Sequence, residues 1–205
     1  MHVVSTSFLP NEPLDPRLAF GAPDPDSHVR LSDNRNPHLA WSDVPEGTQS
    51  FAILCVDPDV PSEGSRVNKE GMTVPVDLPR ADFFHWVLVD LPATVREIAE
   101  GAHSEGIVAR GKGPGPSPDG GIVGINDYTS WFAGDGDMEG DWYGYDGPCP
   151  PWNDERMHAY AFEVYALGVP TLGLSGRFNG QEARDAMKGH VLASARIVGL
   201  YSLYK

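Results

Sequence analysis

Three short segments carry the side chains best suited to chemistry. The first is Asp57-Pro58-Asp59-Val60-Pro61, directly after the apolar run Ser50 to Val56. Carboxylates two residues apart point the same way if the backbone stays extended; otherwise both satisfy turn amides. The second is His85, inside Phe83-Phe84-His85-Trp86-Val87. A histidine in an apolar strand needs a hydrogen-bond partner, and Asp57 and Asp59 are the candidates. The third is Gly147-Pro148-Cys149-Pro150-Pro151-Trp152, a stiff loop leading into His158-Ala159-Tyr160. In a strand, His158 and Tyr160 share a face. If the three segments converge, two imidazoles, a carboxylate and a phenol line a small pocket framed by proline and aromatic walls. Such a set suits a small anion.

The same groups could serve general acid–base chemistry on a bound molecule. Cys149 would be a nucleophile only within reach of His158. Asp57, His85 and His158 also form a two-histidine, one-carboxylate set, but their separations carry no metal signature. There is no G-x-S-x-G, no phosphate loop and no H-E-x-x-H. A binding module without metal or cofactor therefore fits better than an enzyme.

These segments must be placed by strands. Ser50–Val56 is a continuous apolar run that reads as a central strand buried on both faces and stopped at Asp57-Pro58, and Phe83–Leu91 reads as a second buried strand stopped by Pro92. His158–Leu167 reads as a third strand and Ala195–Tyr204 as the last. Met1–Phe8 reads as an edge strand. Asn11–Pro37 is turn-rich and should wrap over the core. Thr94–Ala99 could form one helical turn. Gly111–Gly121 reads as a surface loop, and Ile122–Gly147 as a long ordered loop. The one convincing helix spans Asn179–Ser194, capped by Asn179. Strands dominate, so the expected fold is a single, mainly β domain over residues 1–205: antiparallel sheets with a few peripheral helices, one near the C-terminus.

Composition narrows the partners. In 205 residues, 23 Gly and 19 Pro argue against long helices. The net charge is −14. No Lys or Arg occurs between Gly113 and Glu155, a stretch with nine Asp or Glu. Nucleic-acid binding and adsorption to anionic membranes are disfavoured. No apolar run is long enough to span a bilayer, and the N-terminus lacks a signal-peptide pattern. Two cysteines, Cys55 and Cys149, make no disulfide scaffold, and a cytoplasmic setting is expected.

Taken together, the three segments resemble the phosphatidylethanolamine-binding protein (PEBP) family, specifically its bacterial Raf kinase inhibitor-like (YbhB/YbcL-type) branch. Asp57-Pro58-Asp59-Val60-Pro61 is similar to the family's D-P-D-x-P, and Phe83-Phe84-His85-Trp86-Val87 to its pocket-histidine strand. Gly147-Pro148-Cys149-Pro150-Pro151 with His158-Ala159-Tyr160-Ala161-Phe162 is similar to its G-P-x-P-P…H-R-Y-x-F. Asn126-Asp127-Tyr128, Tyr165-Ala166-Leu167 and Lys188-Gly189-His190 also resemble the bacterial form. The resemblance implies a large antiparallel sheet packed on a smaller one, with an anion pocket for a phosphate-like headgroup at one end. The implied ligand-binding residues are Asp57, His85, Pro151, His158 and Tyr160, with Asp59 and Phe83 in support. The resemblance also implies that a peptide near the D-P-D segment can be cis and, from bacterial members, a homodimer; kinase-inhibitor-like regulation of a protein partner is an alternative that belongs to particular eukaryotic members. The chain departs at Ala159, where the family has Arg, and at Phe83, where many members have Trp. The acidic Asp135–Glu155 stretch would lie beside the pocket and repel free anions. A zwitterionic, neutral or cationic-tailed ligand, or a partner with a basic surface, fits better.

Overall fold

Runs that are apolar at every residue need cover on both faces. The computed structural model, which describes residues 1–204, provides it. In chain order the elements are β1 (His2–Val4), a 3-10 turn (Pro16–Leu18), β2 (Gly21–Asp24), β3 (His28–Leu31), β4 (Leu39–Ser42) and β5 (Ser50–Pro61). They continue with β6 (Arg80–Pro92), β7 (Glu97–Ile98), β8 (Ile122–Val123), α1 (Tyr128–Trp131), β9 (His158–Leu167), α2 (Gly180–Met187) and β10 (Val191–Tyr201). The large sheet has the order β10-β9-β5-β6-β8, a smaller one β1-β4-β7, and β2-β3 form a separate hairpin. Every strand pairing within these sheets is antiparallel.

Alternate residues of β5 face opposite ways. Phe51, Ile53 and Cys55 join Trp86, Leu88, Tyr160 and Phe162 in the core beneath the small sheet, with Leu39, Trp41 and Ile98 opposite. Ala52, Leu54 and Val56 face the other way and are covered by Phe178, Ala183 and Met187 at α2. Each large apolar side chain so buried contributes about 1.5–3 kcal/mol. α2 starts with a capping box between Asn179 and Glu182. Gly180 lets the helix lie on the sheet, since a Cβ there would overlap the Phe84 ring.

Several expectations change. β5 does not stop at Asp57: it runs on to Pro61, with an irregular register between Asp57 and Val60. Pro58 and Pro61 are tolerated because pairing with β9 has already ended at Val56. Asn11–Pro37 does wrap the core, with Asn11 and Leu14 hydrogen-bonded along β10, but it also contains the β2–β3 hairpin. The segment Thr94–Ala99 forms no helical turn and instead includes the short strand β7. The late helix ends at Met187 rather than Ser194: Gly189, at φ 81, turns the chain into β10. No cis peptide occurs among the described residues. No helix there is long and apolar enough to cross a membrane.

Candidate functional site

Antiparallel pairing in the large sheet brings the three segments together. β5 lies between β6 and β9, with Asp57 opposite Phe83 and Val56 opposite Ala161. The end of β5, the start of β6 and the start of β9 therefore meet at one edge of the sheet. The loop before β9 closes over them. The backbone amides of Phe20 and Gly21 both donate to the Pro148 carbonyl, at 2.9 and 3.1 Å. Gly147 permits that approach, because a Cβ there would strike the Leu18 carbonyl.

The result is a cavity of about 660 Å³. Asp57, Phe83, His85, Pro151 and Tyr160 are in its wall. Asp59 and His158 lie behind that wall. His158 is fully buried: its Nδ1 is 2.7 Å from Asp57 Oδ2 and its Nε2 is 3.0 Å from Asp154 Oδ2. Both ring nitrogens thus face carboxylates and donate. Burial alone would depress the His158 pKa, but Asp154 and Asp57 hold it up at about 9. Burial works against ionisation of Asp154 too. His158 and Arg80 outweigh it and keep that carboxyl below its ordinary range. Arg80 grips Asp154 with two bonds, at 2.5 and 3.1 Å.

Asp59 is structural in the same sense. It accepts from the Ala159 amide at 3.0 Å and pairs with Arg156 Nε at 2.9 Å. Its own amide donates to Asp57 Oδ1 at 2.8 Å. Position 159 supplies no cation; the cations here are Arg80, on Asp154, and Arg156, on Asp59. Three carboxylates (Asp57, Asp59, Asp154) are thereby set against three cations (His158, Arg80, Arg156), so the floor of the cavity carries no large net charge.

His85 is not paired with Asp57 or Asp59, contrary to expectation. Its Nδ1 lies 2.8 Å from the Asp146 carbonyl. A carbonyl only accepts, so Nδ1 carries the proton and Nε2 is an acceptor when the ring is neutral. Burial pushes the His85 pKa down to about 4, against the pull of Asp57. The backbone of Asp146 is fixed in turn by its side chain, which accepts from Asn34, Asn126 and Lys112 at 2.7, 2.8 and 2.7 Å. Tyr160 packs edge-on to His85, with ring centroids 5.2 Å apart. Its hydroxyl is buried and makes no hydrogen bond of normal geometry among the described residues, although the Asp57 carboxylate stands close enough to attract its proton. Burial, with Asp57 close by, raises its pKa well above normal. Cys149 is in the cavity wall whereas His158 is not, and burial lifts the thiol to about 12, so it stays protonated.

The rest of the wall was not foreseen as a site. Phe20 comes from the turn-rich N-terminal segment, and Tyr128, Trp131 and Phe132 from α1 and its end. Asp127 anchors α1 by accepting from the Phe84 amide at 2.7 Å. The aromatic cluster Tyr128…Trp131-Phe132, next to an acidic stretch, was the available signal.

Comparison with known proteins agrees with this fold. The family model described as "Phosphatidylethanolamine-binding protein" matches residues 4–202. The UPF0098 protein YbhB of Escherichia coli is 31% identical over 98% of this chain and 100% of its own length. A UPF0098 protein of Aquifex aeolicus is 34% identical over 81% of this chain and 73% of its own. The crystal structure of E. coli YbcL, described as a new member of the mammalian PEBP family, superposes with a TM-score of 0.68 at 26% identity, covering 98% of this chain and 97% of that one. The chain belongs to the phosphatidylethanolamine-binding protein family, in its bacterial YbhB/YbcL-type branch.

Proposed function

We propose that the chain is a small-ligand-binding protein whose cavity takes a singly protonated oxyanion head, a hydrogen phosphate monoester in type. One observation carries the reading: the cavity holds two unused partners side by side. The Tyr160 hydroxyl makes no hydrogen bond of normal geometry and can turn from Asp57 to donate to a ligand, and His85, its Nδ1 proton held by the Asp146 carbonyl, presents Nε2 as an acceptor. A fully ionised phosphate offers acceptors alone, whereas a hydrogen phosphate offers both a donor and acceptors. Asp57 borders the head, and Asp59 and His158 hold Asp57 in place. Phe83 and Pro151 wall the site; Pro150 and Pro151 bring no N–H to it. The family's name points to a lipid with a phosphate headgroup. Binding is favoured over catalysis because Cys149 stays protonated at its raised pKa.

Calorimetric titration with phosphorylethanolamine at roughly pH 5 and pH 7 brackets the phosphate's second pKa of about 6. His85, with a pKa of about 4, is mainly neutral at both. The expected result is tighter binding at the lower pH, driven by the ligand's proton. Equal affinity at the two values, or none, overturns the reading. Tyr160→Phe should weaken binding roughly tenfold.

A further inference from the structure

The cavity is much larger than its head site. About 660 Å³ lies within the roughly 300–1,000 Å³ of pockets that take drug-sized ligands, and a phosphate head fills a small part of it. The remaining wall has a distinct chemistry. Phe20, Tyr128 and Phe132 form one aromatic block: Phe20 stacks on Tyr128 with centroids 4.6 Å apart, and Tyr128 on Phe132 at 5.6 Å. Trp131, half exposed, stands at the mouth. Beyond it the wall continues into Asp135 and Asp137.

These two carboxylates are not directly paired. Neither makes an ion pair among the described residues. Asp135 Oδ1 accepts from the amides of Asp137 and Met138, at 2.9 Å each, which shapes the turn. Arg110 is the cation at this turn, and it donates to the Gly136 carbonyl at 2.8 Å rather than to either carboxylate. No Lys or Arg lies within the segment itself. Aromatic faces attract cations, and carboxylates at their edge add to that attraction. The Tyr160 hydroxyl, which makes no hydrogen bond of normal geometry, lines the same cavity and marks it as one that a ligand completes.

We propose that the outer part of the cavity is a subsite for an apolar organic cation, an alkyl- or arylammonium group. It seats on Phe20, Tyr128, Phe132 and Trp131, with its charge against Asp135 and Asp137. This deepens the ligand-binding reading above and rests on it for the shared cavity, while the charge preference stands on the outer wall alone.

The test compares three probes of one shape: phenylpropylamine, phenylpropanol and phenylpropionate, titrated calorimetrically into the full chain. The amine is expected to bind best and the carboxylate worst, with roughly tenfold or more between them. In the double variant Asp135→Asn, Asp137→Asn the three should converge. Asparagine keeps the Oδ1 acceptor that shapes the turn, so the loop remains folded. Trp131→Ala should weaken the amine. A carboxylate that binds as tightly as the amine overturns the proposal, and so does an amine preference that survives the double variant. Tyr160→Phe separates the two readings, because it should weaken phosphorylethanolamine and leave the amine preference intact. An amine preference without phosphorylethanolamine binding sinks the head reading alone, and the reverse result sinks the cation subsite alone.

Discussion

His85 and His158 carry the same ring at one edge of one sheet and hold their protons in opposite ways. His85 is buried against a carbonyl, with its pKa down at about 4. His158 is buried between two carboxylates, with its pKa up at about 9. An unfolded histidine titrates near 6.5. Below that value the unfolded chain takes up a proton that folded His85 refuses, so its contribution to stability is lost as pH falls toward 4. Above it the unfolded chain releases a proton that folded His158 keeps, so that contribution is lost as pH rises through 9. Stability from these two groups peaks near pH 6.5, and the alkaline loss amounts to a few kcal/mol. Urea midpoints measured at roughly pH 5, 6.5 and 9 check this, with His158→Gln expected to flatten the alkaline limb and leave the acidic one. A wild-type midpoint that does not change from 6.5 to 9 sinks the assignment. Residue types and faces were readable from sequence here: His158 and Tyr160 do lie on the same side of β9. Partner choice was not. Both β6 and β9 flank β5, and only the side-chain directions decide that Asp57 meets His158 while His85 turns to the Asp146 carbonyl.

At the scale of elements, the segment between β5 and β6 owes its shape to one residue outside it. Asn153 is buried, and its Nδ2 reaches the carbonyls of Arg66, Lys69 and Met72 at 2.9, 3.3 and 2.9 Å. Its Oδ1 accepts from the Asn68 amide at 2.9 Å. Asn68 returns the tie by accepting from the Trp152 amide at 3.0 Å. Gly64, Val67 and Asn68 are in the cavity wall, so this clamp also shapes the mouth. Asn153→Asp is nearly isosteric but sets a carboxylate against three carbonyls. Trypsin should then cut after Arg66 or Lys69 roughly ten times faster, with the far-ultraviolet dichroism unchanged. An unchanged cleavage rate means that other contacts hold the loop. The sheet strands with dense apolar runs were legible, and β9 lies where its sequence placed it. The β2–β3 hairpin was not: Pro23 and Asp24 break the alternation that marks a strand, and His28 adopts φ 66 at the start of β3. The start of α2 was legible through its cap. Its end was not, because apolar residues continue at helical spacing past Gly189 into β10.

Across the whole molecule the charge of −14 acts differently on the two ends of the cavity. The floor is balanced by His158, Arg80 and Arg156, while Asp135 and Asp137 at the mouth make no direct ion pair among the described residues and share only the nearby Arg110. An incoming anion therefore crosses an unfavourable field before it reaches groups that can hydrogen-bond it, and a cation is drawn in. Salt screens the field of the exposed mouth far more than contacts at the buried floor. The Debye length falls from about 30 Å at 0.01 M to about 8 Å at 0.15 M. Over that range, inorganic phosphate is expected to bind severalfold more tightly as salt rises, and phenylpropylamine severalfold less tightly. Sodium chloride titrations at fixed pH, followed by calorimetry, read both slopes in one preparation. A phosphate affinity that falls with salt, as at a basic site, is incompatible with an acidic mouth over a neutral floor. The Asp135→Asn, Asp137→Asn variant should reduce both slopes together, because a single local field sets them. If only the amine slope changes, phosphate reaches the floor by a route that does not pass these carboxylates.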